Sequence, residues 1–205
     1  MKVLVGSTNP SKVQYFQTLL AEYTIQWLSL ADFSIAEEPE ENGATPVQNA
    51  CIKAAFYGRY FDLVICNDAG LYFDELSLED PRQPALRVRT PQGSDHRLND
   101  EEMIAYYSAL IHSLGGTVSA YYLNGLAVWR HGKLLSYTEK AEEKRARAFI
   151  MVDHVVGKRY PGWPLEALSE KDFSWREKED RMRGEQERRF LVEALQLKKG
   201  DVSSF

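Results

Sequence analysis

Apolar positions along the chain fall either in short continuous runs or at helical spacing. Lys2 to Gly6 and Ile25 to Leu30 are short apolar runs that read as strands. Phe61, Leu63, Val64 and Ile65 form a third, with the β-branched bias of a buried strand. Between the first two, Val13, Phe16, Leu19 and Leu20 recur at helical spacing behind Asn9 and Pro10, residues suited to an N-cap and a first helical turn. Val47, Ala50, Ala54 and Ala55 give a second helix its buried face behind Thr45-Pro46-Val47-Gln48, which reads as a capping box with proline at the first position. A third helix starts at Asn99-Asp100-Glu101-Glu102, carries Met103, Tyr106, Leu110 and Leu114 on one face, and stops at Gly115-Gly116. Thr117 to Tyr122, Gly125 to Arg130 and Lys133 to Thr138 then read as consecutive antiparallel strands, joined at the hairpin-type dipeptides Asn124-Gly125 and His131-Gly132. A further strand is expected from Arg147 to Val152, and residues 175–198 form a charged helical stretch with Phe190, Leu191, Ala194 and Leu195 as its buried stripe.

Strands alternating with helices first, and a meander afterwards, predict an α/β fold. The expected architecture is a mixed central sheet flanked by helices, with a second lobe formed by the antiparallel meander, all within one domain spanning residues 1–205. Residues 74–98 are long, polar and without periodicity; a connection of that kind is more often functional or mobile than inert, although Arg82, Arg87 and Arg89 read as a solvated group. With 205 residues, 44% of them apolar, the chain can bury a sizeable core without staples. Cys51 and Cys66 stand in apolar surroundings without paired spacing, which predicts free thiols in a reducing compartment. His96, His112, His131 and His154 lack metal-ligand spacing. A formal charge of −5 argues against a duplex nucleic-acid partner, which requires a basic face. No apolar run approaches membrane-spanning length, and Val3-Leu4-Val5-Gly6 is too short for a signal-peptide core, so the expected setting is the cytoplasm without membrane attachment.

Three stretches carry candidate chemistry. In Val64-Ile65-Cys66-Asn67-Asp68-Ala69-Gly70-Leu71 an acid follows a buried strand, where it serves either as an ordinary Asn-Asp turn or as a holder of metal or water. Ser7-Thr8-Asn9-Pro10-Ser11-Lys12 is either a capped helix start with a surface lysine or a phosphate cradle at the positive end of a helix dipole. Glu37-Glu38-Pro39-Glu40-Glu41-Asn42-Gly43 is an acidic loop that closes on a helix carrying Lys53, and a carboxylate beside a cation suits magnesium and polyphosphate respectively.

Taken together, these stretches resemble the inosine triphosphate pyrophosphatase family, also called the Ham1 family. Ser7, Asn9 and Lys12 match its opening motif. Glu40-Glu41-Asn42-Gly43 through Asn49-Ala50-Cys51-Ile52-Lys53-Ala54 match its acidic-glycine segment and the helix behind it. Asn67-Asp68-Ala69-Gly70-Leu71 corresponds to its Asp-Asp-Ser-Gly-Leu turn, so Asp68 falls on the catalytic acid while Asn67 and Ala69 depart. The resemblance implies hydrolysis of non-standard purine nucleoside triphosphates, such as ITP, XTP or dITP, to the monophosphate and pyrophosphate. It implies Asp68, Lys12 and Lys53 as catalytic residues. Ser7, Thr8, Asn9, Ala69, Lys178 and Arg183 join both lysines around the substrate. Magnesium falls to Glu40, with Glu41 as the neighbouring candidate, and to Asp68, and the assembly is expected to be a homodimer. Farther on the match fades: Pro161-Gly162-Trp163-Pro164 lacks the acid of the family's base-pocket loop, and Met182 stands where the family has His. Asn67 either still orients a metal-bound water or marks a chain that only binds nucleotides. A Maf-type pyrophosphatase, related in fold and acting on pyrimidine or modified nucleotides, is the second enzyme reading.

Overall fold

The computed structural model describes residues 1–35, 37–160, 162–170 and 173–198, with backbone alone for residues 173–180 and 182. It resolves into two compact units, one built from residues 1–68, 124–138 and 180–205 and the other from residues 69–123 and 139–179.

In the first unit β1 (Lys2–Val5) pairs in parallel with β2 (Gln26–Ser29) on one side and with β3 (Leu63–Phe73) on the other. Parallel neighbours need a crossover, and the helices α1 (Pro10–Leu19) and α2 (Pro46–Tyr57) provide it. The second half of β4 (Thr117–Arg130) and β5 (Lys133–Thr138) add an antiparallel hairpin. Strand alternation then sorts the core into two layers. Val3, Val5, Leu63, Ile65, Leu126 and Val128 face Phe16 of α1, Leu20 at its C-cap, and Leu191, Ala194 and Leu195 of the C-terminal helix. Their neighbours in sequence, Leu4, Val64, Cys66 and Ala127, face Ala50, Ala54 and Tyr57 of α2. The small residues of α2 let that helix lie close to the sheet.

In the second unit α3 (Asp100–Ser113) packs Met103, Ile104, Tyr107, Leu110 and Ile111 on one face of the sheet, against Leu71 and Phe73 of β3, Val118 and Ala120 of β4, and Phe149 and Met151 of β6 (Phe149–Val152). A short helix α4 (Ala141–Arg145), a 3₁₀ turn at Pro164–Leu168 and a two-residue strand β7 (Ser169–Glu170) complete the unit. The long helix α5 spans Phe173–Leu195. The connection after β3 is held from inside by Gln83, whose buried amide accepts from the Phe73 N–H at 2.8 Å and donates to the carbonyls of Phe73 and Leu76 at 3.0 Å each. No helix among the described residues is long and apolar enough to cross a membrane.

The mixed α/β sheet agrees with the pattern read from the sequence. Two expected turns do not exist. Asn67-Asp68-Ala69-Gly70 lies inside the continuous eleven-residue strand β3, and Asn124-Gly125 lies inside the fourteen-residue strand β4. In both cases glycine serves close approach rather than a turn. A Cβ on Gly125 would sit 2.3 Å from the Val47 backbone nitrogen at the start of α2, and one on Gly70 would meet the Tyr72 ring and the Ala85 carbonyl at 2.9 and 3.0 Å. His131-Gly132 is a true turn, with φ of 45° and 84° at its two residues, as a type I′ hairpin needs. The meander is therefore one hairpin, β4–β5, seated in the first unit, while the second unit takes its antiparallel pairs from β4, β6 and β7.

Gly125→Ala should lower stability by about 1–3 kcal/mol, because the methyl group meets backbone that cannot rotate away. Urea denaturation with an unchanged m-value and a lower midpoint would show it.

Candidate active site

β1 delivers the chain to Gly6, whose N–H bonds the Ile65 carbonyl at 2.8 Å, so the start of α1 lies directly beside the stretch of β3 that carries Cys66 and Asp68. Only glycine fits there, since a Cβ at position 6 would stand 2.3 Å from the Cys66 sulfur. Asn9 caps α1 by accepting the Ser11 N–H at 3.0 Å, and the Ser7 hydroxyl accepts the Asn9 N–H at 3.1 Å. Those two N–H groups are thus already satisfied within the turn. What this end of the helix offers an anion is its dipole, the exposed Thr8 and the ammonium of Lys12.

The acidic loop and α2 supply the second half. Thr45 caps α2 by accepting the Gln48 N–H at 3.3 Å, while the Gln48 amide oxygen accepts the Ala44 N–H rather than closing the reciprocal bond of a capping box. Asn49 and Lys53 are four residues apart, hence on one face of the helix, and both are buried. The Lys53 ammonium bonds Glu41 Oε2 at 2.8 Å and lies 3.5 Å from Asp68 Oδ1. The Asn49 amide accepts the Gly43 N–H at 2.8 Å and donates to Asp68 Oδ2 at 3.0 Å. One helix face therefore ties the acidic loop to the middle of β3.

Electrostatics follow from this crowding. Burial, and then the nearby Lys53, hold the Lys12 ammonium below the ordinary lysine range, while Asp68 and Glu41 oppose that shift. The Cys66 thiol is pushed up to about 12 by burial, which leaves it protonated and inert. A compact site thus holds two cations, Lys12 and Lys53, and two carboxylates, Glu41 and Asp68.

Of the residues singled out in the sequence, Lys12, Lys53 and Asp68 converge in this way, and Ser7, Thr8 and Asn9 form the adjoining turn. Glu41 meets Lys53, whereas Glu40 is exposed. Ala69, the next residue on β3, is exposed and belongs to the second unit. Arg183 stands over the Tyr15 ring at 5.2 Å, and Tyr15 in turn donates its hydroxyl to the buried carboxylate of Glu187. The side chains of Lys178 and Met182 lie outside the described residues. Sequence reasoning passed over Asn49 as a site residue. Its signal was a polar amide four residues before Lys53 on an otherwise alanine-rich helix face.

The model of the Ham1 family matches residues 3–107, just over half of the chain, and this region contains every residue of the cluster. A dITP/XTP pyrophosphatase of Thermoanaerobacter sp. (strain X514) is 36% identical over 78 residues, which cover 38% of this chain and 39% of that protein. A second of the same description, from an Exiguobacterium species, is 33% identical over 100 residues, 48% of this chain and 50% of the relative. The chain thus matches half or less of the length of these curated relatives. Solved structures extend the likeness of fold. A HAM1 protein from Coxiella burnetii superposes with a TM-score of 0.66 at 21% identity, covering 95% of this chain and all of that one. A nucleoside-triphosphatase described as a dITP/XTP pyrophosphatase, from Mycobacterium abscessus, gives 0.63 at 19% identity, with 92% and 97% covered. On the family match and the fold together, the chain belongs to the Ham1 family.

Proposed function

We propose that this chain hydrolyses non-standard purine nucleoside triphosphates to the monophosphate and pyrophosphate, clearing them from the nucleotide pool. The observation that carries this reading is the convergence of Lys12, Lys53, Glu41 and Asp68 on one point of the first unit. Relatives named dITP/XTP pyrophosphatases favour purine substrates over the Maf-type alternative.

A triphosphate brings about four negative charges, which a protein of net charge −5 recruits through local cations rather than through its overall field. Lys12 and Lys53 are those cations, with the α1 dipole behind Lys12. Asp68, held by the Asn49 amide, orients and deprotonates the water that attacks phosphorus. The chain's own donors fit a hard divalent cation, since the carboxylates of Glu41 and Asp68 already meet around the single positive charge of Lys53. We assign that cation as magnesium, held by Asp68 and by an acid of the loop, Glu41 or Glu40. When bound it neutralises charge developing on the departing pyrophosphate. Among the described residues no three metal-binding side chains converge, so phosphate oxygens and waters are needed to complete the coordination. Free thiols, with Cys66 buried and protonated, accord with a reducing cytoplasm, and family resemblance supports a homodimer.

Pyrophosphate release from ITP, XTP and dITP with magnesium should be clear in the wild-type protein, and Asp68→Asn should lower it by about a thousandfold. Nucleotide binding without any pyrophosphate release by the wild type would overturn the enzyme reading in favour of a binding protein. Lys12 supplies a second check. Because its ammonium loses the proton below the ordinary lysine range, kcat/KM should fall on the alkaline side at lower pH than an unperturbed lysine would allow. Lys12→Arg keeps its charge and should shift that limb upward by about one pH unit or more.

A further inference from the structure

Asp68 sits in the middle of a strand and has no turn or helix end to orient its carboxylate. Among the described residues its side-chain partners are two, the Lys53 ammonium at 3.5 Å and the Asn49 amide at 3.0 Å. The lysine contact is at the limit of a hydrogen bond and is shared with Glu41, so the shorter and better defined bond comes from Asn49. That bond is also anchored at its other end. The Asn49 oxygen accepts the Gly43 N–H at 2.8 Å, and a backbone N–H can only donate, which leaves the Asn49 NH₂ to face Asp68. The amide orientation is thus set by the loop and imposed on the acid.

The local sequence is shaped to this contact. Asn49 is 4% exposed on a helix whose other buried positions are mainly small or apolar, where an amide without partners costs about 1–3 kcal/mol. Position 43 admits nothing larger than glycine, because a Cβ there would lie 2.7 Å from the Asn49 oxygen and from Gln48 Cβ. An amide is the side chain that accepts from one neighbour and donates to another across a rigid planar group. A carboxylate accepts only, and an ammonium donates only.

We propose that Asn49 is a positioning residue of the hydrolytic reaction, which aligns Asp68 on its substrate water and links that alignment to the acidic loop through Gly43. The inference rests on the pyrophosphatase reading above. Asn49 does not touch substrate; it acts through Asp68.

Two variants separate alignment from mere support. Asn49→Asp keeps an acceptor for the Gly43 N–H and replaces the donor toward Asp68 with a like charge. Asn49→Ala removes both bonds. Asn49→Asp is expected to lower kcat about thirtyfold or more. Its KM for ITP is expected to stay within about threefold of wild type, and its Gly43 amide to remain protected from hydrogen exchange. Asn49→Ala is expected to lose the Gly43 protection and to melt earlier as well. Wild-type kcat in Asn49→Asp overturns the proposal. So does a loss in which Gly43 protection, melting temperature and KM all move together, since that is what a purely structural amide would produce. If the wild-type protein itself releases no pyrophosphate, it is the pyrophosphatase reading that fails, and the exchange data still report whether Asn49 holds Gly43.

Discussion

A buried ammonium between two carboxylates is the interaction around which the first unit closes. Lys53 is 8% exposed, and burying one unpaired charge would cost several kcal/mol even after relaxation. Glu41 and Asp68 remove that cost only if the acidic loop, α2 and β3 are all in register. The ion pair therefore constrains three elements at once. It also concentrates charge at the point where the proposed hydrolysis would take place.

The strands explain how such a cluster is held in place. Because β3 continues through Asn67-Asp68-Ala69-Gly70, Asp68 rides on the backbone of a continuous strand rather than on a turn. Close approach of α2 to that sheet is made by small residues: Ala50 and Ala54 on the helix, and Gly125 on β4 beneath its first turn. Lys12 is placed by the same logic, since Gly6 brings the start of α1 against Cys66. Both lysines stand in a partly desolvated site, and for Lys12 that burial depresses the pKa, a strain an anionic ligand would relieve.

Much of this was legible in the sequence because it rests on local rules. Asn9-Pro10 and Thr45-Pro46 announced helix starts, short apolar runs announced buried strands, and His131-Gly132 announced a hairpin through residues that tolerate positive φ. The failures share one cause. Asn67 to Gly70 and Asn124-Gly125 have turn composition, yet their glycines answer to neighbours distant in sequence, Ala85 and Val47, which no local pattern contains. Asn49 was overlooked for the same reason, since a polar residue in a helix reads as solvent-facing until the loop and strand it bridges are in place. Elements as short as α4 and β7 carry too few residues for a period to register.

Lys53 and Asp68 act as one electrostatic unit, and a double-mutant cycle of folding stability measures their coupling directly. Lys53→Met, Asp68→Asn and the double variant would be compared by urea denaturation. A coupling energy of about 1–3 kcal/mol, with each single variant costing more alone than in the presence of the other, is the expected result. Costs that add to within about 0.3 kcal/mol would mean that the two side chains do not sense one another and that no such unit exists.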